Sequence, residues 1–356
     1  MQHHARLTIA ALAGLLLTAL LGCQPAPPPA SPAASAGTPV STVAAPSATA
    51  PEPVGNLRVA WVAASAGYLP LWVAQDRGLF EKRGLTTELV FTSGPGAVQS
   101  LLARELEIAY TDGSAIVQAA LAGGDTVMLG STTLVFPFKL IAQPALQSID
   151  DLRGKRLGIA RTGSSTDFAA RYLLRSKGLV PDTDVALVQT VSTPERFQAM
   201  VAGGIDAGLY TEPVGYEARK QGYAFLFDLA TMGTEYPTTG IGTLRSILAE
   251  RPASLRAFIT GLTEATAWIK QNRAEALDIL AHYTQIEDPQ ALAAAYDEQA
   301  PRFPDAPYVT EASVATILES IRDTEPRGAT ARPADFIDNR FVRELDDSGF
   351  IRQLYP

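Results

Sequence analysis

Cysteine is nearly absent from this chain: Cys23 is the only one in 356 residues. No internal disulfide can form, so packing has to hold the fold. Histidine is almost as scarce, and since His3 and His4 stand at the extreme N-terminus, His282 alone serves the body of the chain. One thiol and one imidazole exclude the usual zinc sites. Neither G-x-S-x-G nor S-x-x-K occurs, which removes the commonest serine hydrolase signatures. Basic charge is also short, with 29 Lys and Arg against 37 Asp and Glu and a net charge of −8. A nucleic-acid surface needs a basic face, so no nucleic-acid partner is expected.

A long hydrophobic run is missing too. The apolar stretch from Leu7 to Leu21 follows Arg6. It falls short of the roughly 20 residues of a spanning helix and has the layout of a secretory signal. Leu20-Leu21-Gly22-Cys23 resembles a bacterial lipobox, with Leu in the slightly unusual place before Gly22. The expectation is a signal peptide over 1–22, cleavage before Cys23 and lipidation of its sulfur. A buried apolar cysteine is the plain alternative, but a signal peptide offers no core to bury it. After Cys23 the chain is rich in Pro, Ala, Ser and Thr up to Gly55, with Glu52 its one charge. Such a segment buries too little apolar surface to offset its ordering entropy, so 23–55 is expected to be a disordered tether.

The remainder, about 300 residues, is more comfortable as two lobes than as one. Its first half alternates short β-branched runs with helical segments: strands are expected at Leu57 to Val62, Thr86 to Phe91, Leu106 to Tyr110 and Val127 to Leu129. The pattern restarts at Arg156 to Ala160 and continues through Val185 to Val191, Ile205 to Tyr210 and Tyr223 to Asp228. Strands separated by helices of this length predict mainly parallel sheets covered by helices, an α/β class. Past Leu244 the character becomes helical. Leu255, Phe258, Ile259, Leu262, Ala265, Trp268 and Ile269 recur on one helical face, which predicts core packing and not a binding role.

Three segments carry a family likeness. Tyr68-Leu69-Pro70-Leu71-Trp72-Val73-Ala74-Gln75-Asp76-Arg77-Gly78-Leu79-Phe80, Asp150-Asp151-Leu152-Arg153-Gly154-Lys155-Arg156-Leu157-Gly158-Ile159-Ala160 and Ala202-Gly203-Gly204-Ile205-Asp206-Ala207-Gly208-Leu209-Tyr210-Thr211-Glu212-Pro213 occur in this order. Together they resemble the nitrate, sulfonate, taurine and thiamine-precursor (pyrimidine) binding proteins of ABC importers. The resemblance implies a two-lobe, type II-like periplasmic-binding-protein clamshell with two crossovers and a C-terminal helical segment. It implies lobe I over 56–133 and 241–356, and lobe II with the crossovers over 134–240. By the family pattern, ligand contacts come from loops at strand C-terminal ends, the usual ligand position in open α/β sheets. Mapped here, these are Ser65, Gly67, Tyr68, Ser93, Gly94, Thr111, Asp112, Ser114, Thr162, Gly163, Ser164, Ser165, Thr166, Ser192, Tyr210 and Glu212.

The residues allow more than one use for each part. Gly163-Ser164-Ser165-Thr166 opens a helix whose N–H groups and hydroxyls can receive a polar group, or can simply cap it. Asp167 in the same turn would repel an anion unless it points away, and Arg161 could compensate. Tyr68, Phe136, Tyr210 and Tyr236 fall in mouth loops or crossovers, where their faces could stack on a planar ligand or pack. Glu212 could pair with an amino group or remain a solvated carboxylate. Pyrimidine synthases of this fold resemble a cysteine-rich motif that a chain with only Cys23 lacks. The expected protein is a monomeric, lipid-anchored solute receptor facing the periplasm or cell exterior, with no metal or cofactor and no enzymatic activity. It would deliver a planar heterocycle, or a sulfonate or other oxyanion, to an ABC permease. A lipoprotein signalling to a membrane kinase is one alternative. A carboxylate enzyme using Asp112 and Glu212 is the other.

Overall fold

The computed structural model describes residues 52–92, 94–190, 192–322 and 325–355. The expected signal, Cys23, most of the tether and Ser93 lie outside the described residues. The chain enters β1 (Gly55–Trp61), then α1 (Leu69–Asp76), β2 (Leu85–Phe91), α2 (Gly94–Leu102), β3 (Ile108–Thr111), α3 (Gly113–Leu121) and β4 (Thr126–Ser131). It crosses over and builds a second unit from β5 (Lys139–Ala142), β6 (Arg156–Ile159), α4 (Ser165–Ser176), β7 (Ala186–Gln189), α5 (Thr193–Val201), β8 (Ala207–Tyr210), α6 (Val214–Lys220) and β9 (Ala224–Asp228). It then returns for β10 (Gly240–Leu244), α7 (Arg245–Glu250), α8 (Pro252–Gln271), α9 (Arg273–Thr284), α10 (Pro289–Gln299), α11 (Glu311–Ile321), α12 (Arg340–Asp347) and α13 (Phe350–Leu354).

The two sheets share one plan. The first has strand order β2-β1-β3-β10-β4 and the second β7-β6-β8-β5-β9. In each, the first three strands are parallel, and the strand that follows a crossover, β10 or β5, is inserted antiparallel. β4 and β9 therefore run with the parallel strands, and both crossovers leave from the edge where the parallel strands end. That edge is the mouth of each lobe. Neither β5 nor β10 is among the strands expected from the sequence, so the structure adds one antiparallel strand to each expected sheet.

The apolar stripe on α8 is buried as its spacing predicts: Leu255, Phe258, Ile259, Leu262, Ala265 and Ile269 are fully enclosed, with Phe258 stacked on Phe80 at 5.1 Å. It packs on α1 and on β1 and β2. Truncating one such Leu or Ile to Ala costs about 2–5 kcal/mol. The helical tail is not confined to the first sheet. Ala295, Tyr296, Ala300 and Phe303 join the core of lobe I, whereas Val314, Ile317, Leu318 and Ile321 of α11 share a core with Phe168, Leu173 and Leu174 of α4 and with Ile116 and Val117 of α3.

Candidate functional site

The two crossovers, 132–138 and 229–239, are stitched to one another. Thr132 N–H donates to the Thr239 carbonyl at 3.1 Å and Tyr236 N–H to the Leu134 carbonyl at 3.0 Å. The Ser131 hydroxyl donates to the carbonyls of Thr133 (3.0 Å) and Thr239 (3.1 Å). Thr132 and Thr239 share a hydroxyl contact at 3.0 Å, and Tyr110 bonds the Thr132 hydroxyl. Phe136 and Tyr236, one from each crossover, stack at 4.2 Å and are fully buried. They form the packing between the crossovers, whereas the sequence offers both as candidate aromatic faces for a ligand.

In lobe I the mouth is built at the ends of β1, β2 and β3. Tyr68 is buried, with its ring 5.2 Å from Tyr110 and 6.3 Å from Trp61. Burial raises its hydroxyl pKa well above the ordinary tyrosine value. Trp61 and Phe91, the last residues of β1 and β2, lie 4.5 Å apart, and Phe91 is 62% exposed. This rim pair was missed in the sequence; its only signal is that both aromatics end strands. Gly67 and Gly94 keep the wall thin. A Cβ on Gly67 would lie 3.5 Å from Thr239, and one on Gly94 3.5 Å from the Thr111 hydroxyl. Ser65 is half-buried beside them.

Asp112 caps α3 and is the most constrained group of the mouth. Its Oδ1 accepts from the Ser114 N–H at 3.0 Å, from the Ser114 hydroxyl and from the Tyr236 hydroxyl at 2.7 Å. Its Oδ2 is buried and has no hydrogen-bond partner among the described residues, and the same holds for the Thr111 hydroxyl. Burial pushes the Asp112 carboxyl up to about 6, against the lowering effect of the Ser114 and Tyr236 bonds. The hinge also presses on this corner: Gly113 N–H donates to the Pro237 carbonyl at 2.9 Å, and a Cβ on Gly113 would meet Pro237 Cγ at 2.5 Å. Tyr236 touches the second lobe as well, its ring 6.1 Å from Phe168 at the start of α4.

In lobe II the helix-start residues are occupied with their own turn. Ser164 caps α4, accepting from Asp167 N–H at 3.4 Å and Arg161 N–H at 3.3 Å, and contacts Thr166 at 3.0 Å. Thr166 in turn accepts from Ala160 N–H at 2.8 Å. Asp167 points inward, accepting from Gly163 N–H at 2.8 Å and pairing with Arg171 at 2.7 Å. Its carboxylate is therefore satisfied within the helix start. Thr162 is exposed and held by Gln189 at 3.2 Å; Ser165 is half-buried. Ser192 caps α5 through Glu195 N–H at 3.3 Å.

Two candidates are enclosed at the end of β8. Tyr210 is fully buried under β8 with Phe197, Met200 and Ile141, and its hydroxyl donates to the Arg196 carbonyl at 3.2 Å. Its ring folds back over Gly208, where a Cβ would collide at 2.5 Å. Glu212 is buried in an ion cluster with Arg219 at 2.6 Å and Lys139 at 3.6 Å. Lys139 also pairs with Glu298, which holds Arg302 at 2.6 Å. His282 is exposed, and no group of three or more His, Cys, Asp or Glu able to hold a metal occurs among the described residues. A separate groove of about 360 Å³, lined by Phe197, Val214, Glu217, Ile286 and Asp288 among others, includes none of the mouth residues. No described helix is long and apolar enough to cross a membrane.

Two mixed α/β lobes joined by stitched crossovers define a clamshell of the periplasmic-binding-protein type. A model of the NMT1-like family matches residues 50–283, and the chain belongs to that family. It is 27% identical over 237 residues to a provisionally named binding protein of Brucella abortus (strain 2308), an alignment covering 65% of this chain and 72% of that one. It is 24% identical over 262 residues to the riboflavin-binding protein RibY of Chloroflexus aurantiacus, covering 69% and 73%. The fold matches the alkanesulfonate-binding protein SsuA of Xanthomonas axonopodis pv. citri bound to MOPS, with a TM-score of 0.63 at 20% identity over 80% of this chain and 96% of that one.

Proposed function

We propose that this chain is the extracytoplasmic solute-binding component of an ABC importer, tethered to the membrane through lipidated Cys23, which closes its two lobes on a small organic ligand. The observation that carries this reading is the stitched pair of crossovers. They set the strand ends of both sheets beside a common hinge, so a ligand touching both mouths is bound fully only when the lobes close. Closure is also what a permease can read. The lipobox-like Leu20-Leu21-Gly22-Cys23 supports the anchor.

Among ligands, a planar nitrogen heterocycle fits better than a sulfonate or nitrate. Trp61 and Phe91 form an aromatic pair at the rim, above the buried Tyr68. Asp112 places a carboxylate in the mouth, and no ion pair to it exists among the described residues. The names of the riboflavin-binding and alkanesulfonate-binding proteins span the two choices.

Native mass spectrometry of the purified protein, followed by solution scattering with and without the copurified molecule, tests the reading. The expected result is a bound small molecule, a smaller radius of gyration when it is saturating, and a melting temperature that rises with its concentration. Stabilisation without compaction would remove the clamshell mechanism, and turnover of the molecule would replace the receptor by an enzyme.

A further inference from the structure

Asp112 has two carboxylate oxygens with opposite fates. Oδ1 takes three donors, two from Ser114 and one from Tyr236. Oδ2 takes none and is buried. A buried acceptor without a donor costs about 1–3 kcal/mol, more when charged, and such atoms call for an explanation. The carboxyl cannot relieve this by rotating, because turning Oδ2 toward Ser114 and Tyr236 would only exchange it with Oδ1. The neighbouring Thr111 hydroxyl is likewise buried and unpartnered. These two groups close β3 at the mouth, where a Cβ on Gly94 would stand 3.5 Å from the Thr111 hydroxyl.

We propose that Asp112 is the specificity-determining residue of the mouth: Ser114 and Tyr236 hold Oδ1 so that Oδ2 faces the ligand as a fixed acceptor, selecting molecules that present an N–H donor there. The inference rests on the solute-receptor reading. A ligand edge that presents only acceptors, a sulfonate or a carbonyl, meets a carboxylate oxygen with no proton between them. Such a ligand leaves Oδ2 unpaired and adds repulsion. Rejection through an unpaired buried polar group is steep, well beyond what a missing methylene achieves. Thr111, which can donate or accept, tolerates either kind of neighbouring atom.

The test uses two probes of one shape and opposite polarity. Cytosine carries an amino donor beside a ring acceptor, and uracil carries a carbonyl acceptor beside a ring N–H. Calorimetry near neutral pH is expected to show cytosine binding at least about thirtyfold tighter than uracil, with methanesulfonate as the anionic probe weaker still. In Asp112→Asn the amide oxygen stays with Ser114 and Tyr236 and the NH2 takes the place of Oδ2. The preference should then invert toward uracil, which a merely structural Asp112 would not produce. Asparagine is also a good N-cap, so α3 keeps its start. Gly94→Ala meets only an ordinary 3.5 Å contact at the Thr111 hydroxyl, and should weaken cytosine about tenfold by filling the space through which a ligand would approach it, about 1.4 kcal/mol. Equal binding of the two pyrimidines, a preference for methanesulfonate, an unchanged preference in Asp112→Asn, or no binding of any probe overturns the assignment of Asp112. None of these touches the receptor reading, which stands or falls separately on whether a small molecule copurifies and compacts the protein.

Discussion

The Tyr236 hydroxyl donates to Asp112 Oδ1 at 2.7 Å across 124 residues of sequence, joining the second crossover to the mouth of lobe I. Tyr236 thereby has three attachments: this bond, the stack on Phe136 and the contact with Phe168 of lobe II. Tyr236→Phe keeps both ring contacts and deletes only the donor. The expected loss is about 1.5–3 kcal/mol for a hydrogen bond to a charged group, read from urea unfolding. Tyr236→Ala should cost more, about 3–5 kcal/mol, because it also opens a cavity under the hinge. Equal losses in the two variants would mean that the hydroxyl, and not the ring, carries the whole effect.

Asp112 also sets a pH dependence. Its carboxyl is raised from the ordinary 3.8 to about 6 by burial, so the folded protein holds the proton more tightly than the unfolded chain. The sign follows: stability from this group is greatest at low pH and is lost as pH rises through about 6. Between about pH 4.5 and pH 7.5 the loss amounts to about 2 kcal/mol. Asp112→Asn should remove that slope, and subtracting its urea curves from the wild type's cancels the other carboxylates. Tyr236→Phe should move the midpoint of the slope higher, since the Tyr236 bond holds the carboxyl down. A difference curve that is flat would place Asp112 in water instead of in the mouth.

The sheets were legible where their signal is local. β1, β2 and the buried face of α8 follow from alternation and from 3.6-residue spacing, and the restart at Arg156 exposes the second lobe. β5 and β10 were not legible. β5 has four residues, β10 contains Gly240 and Gly242, and both owe their place to partners far away, β8 and β9 or β3 and β4. The mouth behaves likewise. Asp112-Gly113 reads as a turn and Ser164 as a cap from the sequence alone, whereas the pairing of Tyr236 with Asp112 and of Lys139 with Glu298 spans well over a hundred residues. Tyr210 shows the converse. It ends a strand as a mouth residue should, yet its side chain points into the lobe because Gly208 leaves room for its ring.

The Lys139 cluster ties the helical tail to lobe II. Lys139 opens β5 and Asp228 closes β9, while Glu298 and Arg302 come from the end of α10 and the turn after it, whose other face fills the lobe I core. Glu298→Gln leaves Lys139 with the more distant Glu212 and Arg302 with Asp228 alone. Removing one partner of a buried pair costs about 3 kcal/mol, and less here to the extent that the cluster reaches solvent. The double variant Lys139→Met with Glu298→Met should recover much of the loss, because the lone charge is what destabilises. Additive losses in the double-mutant cycle would show that the pair is not coupled.

Anchoring makes a separate prediction from the N-terminal sequence. If Cys23 carries the lipid that holds the protein to the membrane, Cys23→Ser should shift it from the membrane to the soluble fraction when cells are fractionated. Retention of detergent-dependent membrane association in that variant would contradict lipidation at Cys23 as the anchor.

Ser164 distinguishes capping from ligand contact at the start of α4. Its hydroxyl accepts from the Asp167 and Arg161 N–H groups and contacts Thr166, so its capacity is spent within the turn. The neighbouring Asp167 is turned inward onto Gly163 and Arg171, which leaves no side-chain charge of this turn committed to an anion. Ser164→Ala should therefore lower stability by about 1 kcal/mol, the usual cost of a lost N-cap. Affinity for the copurified ligand should stay within about twofold of wild type in the same variant, since a backbone N–H at the helix start survives the change. Tyr68→Ala, by contrast, removes a wall of the lobe I mouth and should weaken binding by about tenfold or more. Calorimetry on the pair settles the division of labour: a large affinity loss in Ser164→Ala with unchanged stability would make the hydroxyl a ligand contact and the cap incidental.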